Sequence, residues 1–490
     1  MHRWKVLVAT GIALASLGGV GLNVVDTAGS TPLVQAAADT DAAGCPTTTS
    51  AVATPTATTT TTDYAVGGTT TTTATAYGTT YVTTAVPNCP YVAWLPGWRP
   101  TLGPIFNNPL GSNAQASAIV RRVYKAIMHA PKGSSIRIAV YSFDRSEIAY
   151  ALRKAKKRGV SVQVIVNKRV MSGVARSLQK TLGSNPKKKS FLIACSGSCR
   201  KKGDGGNEHD KVFAFSQSGG ARYLVITGSG NLTSKAVHRQ WNDSYAVAND
   251  KTLYDTWQQM FSQMAARKRV GARVLTYTTM SEAYTYWFQR QSAAFGDQVA
   301  TMSTTTLERF NANADRAGRQ INKISCAAPA GYGSNGKTVI RLAMYAMFGG
   351  RGRGLTKLLI AKKKQGCDVK IIMSVPGKQW PSLVRAGIPV RSADWLFAER
   401  DPGLEDGIGG YGPRFYSHLK FMAVSGTYNG QPANLVITGS ENWDGLSRAN
   451  EEVVLQINNA SVYKTYLKQF NAMYNGRATH KMGIKPIYGP

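Results

Sequence analysis

At 490 residues with 43% hydrophobic content, the chain can form two or three domains with real cores, which excludes a disordered polypeptide. Its formal net charge of +33 favours phosphate-rich partners such as nucleic acid, anionic lipid surfaces or anionic wall polymers, and is silent about fold. Beyond the N-terminus no segment is long and apolar enough to cross a bilayer as a helix.

In chain order, His2, Arg3 and Lys5 precede an uncharged stretch from Val6 to Val25, and Ala36-Ala37-Ala38 precedes Asp39. This predicts a signal peptide over residues 1–38 and a secreted protein, with an uncleaved membrane anchor as the alternative. Residues 39–105, with the runs Thr58–Thr62 and Thr69–Thr73, read as a Thr-rich stalk or linker. A small β module closed by Cys45 and Cys89 is the other reading. Six cysteines in an exported chain favour disulfides. Cys195 and Cys199 are close enough to pair locally, and Cys326 and Cys367 lie together in the second half.

From residue 106 the pattern becomes α/β. Ser117–Ala130 has helical spacing, Ile136–Phe143 reads as a strand, Glu147–Arg158 as a helix stopped by Gly159, and Val160–Val166 as a buried strand. Residues 263–323, including Tyr284–Phe288 and Thr304–Ile321, predict a helical connector. The plan then repeats: strand Val339–Tyr345, helix Leu355–Lys364, stop at Gly366 and strand Val369–Met373. Gly366, His418 and Asn442 follow Gly159, His209 and Asn231 by 207, 209 and 211 positions, so the repeat spans whole domains. The expected architecture is two pseudo-equivalent α-β-α domains with mostly parallel sheets, residues 106–262 and 324–475, followed by a basic tail over 476–490.

The repeat carries polar groups in fixed order. Leu-Val-Ile-Thr-Gly-Ser occurs at 224–229 and again at 435–440, and each copy reaches an asparagine two residues on, Asn231 and Asn442. Upstream stand His209-Asp210-Lys211 and His418-Leu419-Lys420. On a strand, residues two apart share a face, so each histidine projects with its lysine. The following strand ends in small residues that let the chain turn beside that pair. Each half therefore offers an imidazole, an ammonium and an amide, supported by Ser229 or Ser440.

These motifs resemble those of the phospholipase D superfamily, His-x-Lys-x-x-x-x-Asp followed by Gly-Ser-x-Asn, over roughly residues 106–475. One departure is plain: Ser216 and Ser425 stand where the family has aspartate, which puts motif rigidity in doubt. The resemblance implies two halves facing one another around a single site in one chain, with no metal or other cofactor and as a monomer. It implies that neutral His209 attacks phosphorus while protonated His418 serves the leaving oxygen, with Lys211, Lys420, Asn231 and Asn442 holding the non-bridging oxygens. It also suggests an acidic residue to orient each ring, Glu452 for His418 and Asp243 for His209.

The activity implied is a secreted phospholipase D-type phosphodiesterase acting on phospholipid at a membrane surface. A nuclease of the same superfamily and a low-activity polyanion or wall-binding module are the alternatives. The basic clusters Lys187–Lys189 and Arg200–Lys202 are candidates to guide a polyanion, and 407–417 is a candidate entrance loop. Lys154–Arg158 and Lys362–Lys364 read instead as helix ends that complement the dipole.

Overall fold

The computed structural model describes residues 98–200, 206–268, 310–395 and 415–481, and the backbone alone over 47–65, 68–85, 274–278 and 284–289. The expected signal peptide, the entrance loop up to residue 414 and most of the basic tail lie outside these residues. The chain divides into two units, residues 1–91 and 92–490. In the first, β1 (Thr47–Ala65) and β2 (Gly68–Ala85) pair antiparallel from Thr47 with Ala85 to Ala65 with Gly68.

The second unit contains both halves of the repeat. In the first half the strands are β3 (Gly103–Phe106), β4 (Ser135–Val140), β5 (Ser161–Asn167), β6 (Phe191–Cys195), β7 (Lys211–Ser218), β8 (Ala221–Gly228), β9 (Gln240–Trp241) and β10 (Asp243–Val247). All but β9 form a sheet in the order β3-β10-β8-β7-β4-β5-β6. Only β4, β5 and β6 run parallel to each other, and the remaining pairings are antiparallel. The mostly parallel sheet read from the sequence is thus corrected: the two motif strands β7 and β8 are joined by a tight turn, which forces them antiparallel.

Two strands follow where a helical connector was expected, β11 (Val274–Thr278) and β12 (Tyr284–Gln289). β12 carries Thr, Tyr, Trp and Phe, residues that fit a pleated surface better than a helix, and it adds to the second sheet beside β21 (Glu452–Asn458). Among the described residues of this segment the helix is Arg316–Asn322, capped by Asp315.

The second half repeats the first. β13 (Ile324–Ser325), β14 (Val339–Ala346), β15 (Asp368–Val375), β16 (Val390–Ser392), β17 (Asp394–Trp395), β18 (Phe415–Ser417), β19 (Lys420–Tyr428) and β20 (Gln431–Gly439) precede β21, and β22 (His480–Lys481) closes the edge. The sheet runs β11-β12-β21-β20-β19-β14-β15-β16-β22, parallel only across β14, β15 and β16. In both halves the motif lysine lies opposite the first strand's end: Lys211 pairs with Val140, and Lys420 with Met344.

Alternation along these strands builds the interior. Val212 and Ala214 face a core shared by both halves, while Phe213 and Phe215 face the outer helices 118–128, 146–157 and 173–182. Phe421 and Ala423 join the same shared core from the second half, with Met422 and Val424 turned outward. Helices Lys251–Ala265 and Ala460–Asn475 contribute Trp257, Phe261, Tyr466 and Phe470 to it. Burying one face of each sheet against the other half sets the two motif strands relative to each other. Disulfides join Cys195 to Cys199 and Cys326 to Cys367.

Candidate active site

The two halves exchange strand ends. The His209 N–H donates to the Glu451 carbonyl (3.2 Å) and the His418 N–H to the Trp241 carbonyl (2.9 Å). Residues leaving each Gly-Ser-x-Asn turn therefore run beside the other half's histidine. Each glycine lets its turn pass close to the next strand of its own half: a Cβ on Gly228 (φ +159°) would lie 2.3 Å from the Asp243 carbonyl, and one on Gly439 (φ +149°) 2.1 Å from that of Val453.

This exchange corrects the expected orienting residues. Glu452 serves His209, not His418: both carboxylate oxygens lie 3.0 Å from His209 Nδ1. Ser440 donates its hydroxyl to the same carboxylate. His418 Nδ1 lies 3.0 Å from both the Ser229 carbonyl and the Asn242 side-chain oxygen. Asp243 points the other way, accepting from the Ser229 N–H (3.1 Å), Thr438 (2.6 Å) and the Tyr466 hydroxyl (2.7 Å). Neighbouring strand residues face opposite ways, and the position equivalent to Glu452 is Asn242. The acidity of Asp243 drew attention one residue too far.

Each lysine donates to the carbonyl of its own histidine at 2.6 Å and lies over a tyrosine ring, Lys211 over Tyr141 (5.5 Å) and Lys420 over Tyr345 (4.8 Å). The same rings contact the histidines, with centroids 5.2 Å apart for Tyr141 and His209 and 4.8 Å for Tyr345 and His418. Neither tyrosine was singled out from sequence, although both end the repeated first strand. Asn231 and Asn442 are buried, and their Oδ1 atoms have no hydrogen-bond partner among the described residues.

The mutual influence of the four titratable motif residues places them around one site. Burial, with Lys211 and Lys420, outweighs the Glu452 carboxylate and pushes His209 down to about 4. Burial, then Lys420, Lys211 and His209, holds His418 well below the ordinary imidazole value. Each ring thus feels the opposite half's lysine. Burial and then Lys211 lower Lys420 well below the usual lysine range. Burial alone would raise Glu452, but His209 and Lys211 bring it down to about 2. Both imidazoles are accordingly neutral at pH 7, unlike the protonated His418 expected from the resemblance.

A second buried network, not foreseen, holds the turn before Asn442. Arg351 donates to the Asn442 carbonyl (2.8 Å), the Asp444 carbonyl (3.2 Å), Asp315 (2.7 Å) and Glu441 (2.9 Å), and Arg316 pairs with Glu441. Arg200, expected in a solvent-facing basic cluster, is instead buried against Glu451.

The family described as "Cardiolipin synthase, PLD-like domain" matches residues 123–265 and 334–474, which takes in both motifs. The chain belongs to this PLD-like family. No curated protein sequence matches it. Among solved structures it is similar to phosphatidylserine synthase of Haemophilus influenzae Rd KW20, with 11% identity, 78% of this chain and 89% of that one covered, and a TM-score of 0.44. It is also similar to Nuc, a phospholipase D family member of Salmonella typhimurium, with 24% identity, 34% and 95% coverage, and a TM-score of 0.26. For polyphosphate kinase of Porphyromonas gingivalis the values are 13%, 76% and 50%, and 0.43, so the chain spans half the length of that enzyme.

The PLD-like motif's missing aspartates have substitutes. Ser216 accepts the Ser135 N–H (2.8 Å) and bonds the Tyr254 hydroxyl. Ser425 donates to Asn434 (2.8 Å), accepts the Gly333 N–H (2.9 Å) and bonds Tyr463. Each serine ties its motif strand to a neighbouring strand or loop and to a helix of the shared core.

Proposed function

We propose that this PLD-like protein is an exported phospholipase D-type phosphodiesterase that hydrolyses phospholipid headgroup esters and transfers the phosphatidyl group when an alcohol replaces water. The observation that carries the reading is the paired but unequal seating of His209 and His418. The Glu452 carboxylate accepts a hydrogen bond from Nδ1–H of His209, which fixes the hydrogen on that nitrogen and leaves the Nε2 lone pair to attack phosphorus. An N–P bond forms, the P–O bond to the leaving group breaks, and that alkoxide takes a proton from Nε2 of His418. His418 is fixed by two neutral acceptors, so its Nδ1 keeps its hydrogen and Nε2 carries the mobile proton. Burial and the two lysines hold His418 unprotonated, and a bound phosphodiester anion would offset the lysine charges and let the ring take up its proton. In the second step His418 accepts a proton from water or an alcohol, whose oxygen attacks phosphorus and breaks the N–P bond. Lys211, Lys420, Asn231 and Asn442 hold the non-bridging oxygens.

Rings of Tyr141, Tyr345 and Tyr416 beside the histidines support a lipid ester. A net charge of +33 favours nucleic acid as the second reading. The firm seating of Ser216 and Ser425 argues against a module that only binds. Incubation with phosphatidylcholine vesicles and, in parallel, plasmid DNA tests the proposal. Choline release that disappears in His209→Ala is expected, and DNA cleavage without choline release would replace the lipid reading.

A further inference from the structure

Behind the ring of His209 lies a buried ion pair with no counterpart among the described residues of the other half. Arg200 is 1% exposed, and its Nε lies 3.1 and 3.0 Å from the two oxygens of Glu451. Its NH2 also bonds that carboxylate, its backbone N–H donates at 3.1 Å, and the Ser198 hydroxyl donates at 3.1 Å. Glu451 accepts the His209 N–H through its carbonyl, and the next residue, Glu452, holds the His209 ring. The pair thus joins a loop of the first half to the strand end of the second that seats the histidine. The Cys195–Cys199 disulfide closes the loop immediately before Arg200.

In the other half the position of Glu451 is taken by Trp241, whose carbonyl accepts the His418 N–H while its ring packs in the shared core. An apolar residue therefore suffices for the fold. A buried ion pair gains little stability over apolar side chains of similar size, but removing one partner leaves an uncompensated charge. Here that charge would stand beside Glu208, Asp210 and Glu452.

We propose that Arg200, held by the Cys195–Cys199 loop, is a positioning residue for His209, acting through Glu451 and Glu452 across the interface between the halves. It rests on the phosphodiesterase reading only for its effect on turnover; the seating itself is measurable without substrate.

The experiment uses the full chain with Cε1-labelled histidine and follows the rings by NMR against pH. The chain has six histidines, and single His209→Gln and His418→Gln variants assign the two that matter. In Arg200→Met the His209 ring is expected to lose its fixed environment, broaden and titrate higher as water enters, while His418 titrates as in the wild type. Arg200→Lys should restore part of the wild-type behaviour, and Cys195→Ser/Cys199→Ser should shift His209 in the same direction by less. With choline phospholipid, kcat in Arg200→Met should fall about 10- to 100-fold with KM within about threefold. If Arg200→Met does not fold, Arg200→Met/Glu451→Leu removes both charges and should fold with the same selective change at His209. An unchanged His209 titration, or an equal shift of both rings, overturns the proposal. Absence of turnover in the wild type alongside the selective NMR change would sink the substrate reading and leave the positioning role standing.

Discussion

The two halves share a backbone plan and differ in what seats each histidine. His209 faces a carboxylate, whereas His418 faces an amide oxygen and a backbone carbonyl. Around His209 the flanking positions are Glu208 and Asp210, and around His418 they are Ser417 and Leu419. Duplication supplies two imidazoles in matching places, but a displacement at phosphorus needs them in different roles. The neighbours supply the difference. In the proposed mechanism a carboxylate would stabilise positive charge on the attacking ring, and neutral acceptors would leave the other ring free to gain and lose a proton.

Removing the rings gives the largest effect. His209→Ala should lower phosphodiester hydrolysis about 10⁴-fold or more, with no labelled protein trapped from a ³²P substrate. His418→Ala should be nearly as damaging for a choline ester, yet should still form labelled phosphohistidine from a diester with a nitrophenol leaving group, which needs no proton. Equal trapping in the two variants would erase the distinction between the halves.

Exchanging the neighbours is the next test. Glu452→Gln should cut kcat about 100-fold and Asn242→Ala about 10-fold, both measured at saturating substrate. Asn242→Asp adds the carboxylate that only the first half has and should raise the proton affinity of His418, moving the basic limb of kcat upward. The acid limb belongs to the other ring. With free His209 at about 4, its nucleophilic nitrogen is unprotonated above that value, so kcat/KM should hold steady at mildly acidic pH and fall as pH drops through about 4.

Much of this was legible from the repeat itself. His209, Lys211, Asn231 and their partners announced themselves because one order of residues occurs twice, whereas the alternation of strands and helices pointed to parallel pairing that the tight turn between the motif strands overrides. Partner choice was hidden. That Glu452 reaches His209 depends on strand ends crossing between halves, a contact between residues 243 positions apart that no local pattern encodes. Arg200 and Arg351 were missed for a related reason: a lone arginine reads as surface until its buried carboxylate partner is known. β12 was misread because aromatic residues recur at a spacing compatible with a helix, and pairing with β21 decides the outcome.

The smallest expected effect concerns the acids flanking His209. Glu208 and Asp210 are fully buried, and their carboxyl oxygens have no hydrogen-bond partner among the described residues. Burial first, and then neighbouring carboxylates, raise both well above the ordinary range, so they remain protonated in the fold at pH values where the unfolded chain has released its protons. A raised acid lowers stability as pH climbs above the unfolded value near 4, by about 1.4 kcal/mol for each unit of the shift, until the folded value is reached. Asp210→Asn keeps the shape and removes that penalty. The variant should match the wild type near pH 4 and gain on it in Tm as pH rises toward neutrality. Melts that run parallel across this range would mean Asp210 is ionised in the fold. Leu419 fills the equivalent place in the other half at no such cost, so the acid at 210 is not required by the architecture, and its effect belongs to the environment of His209.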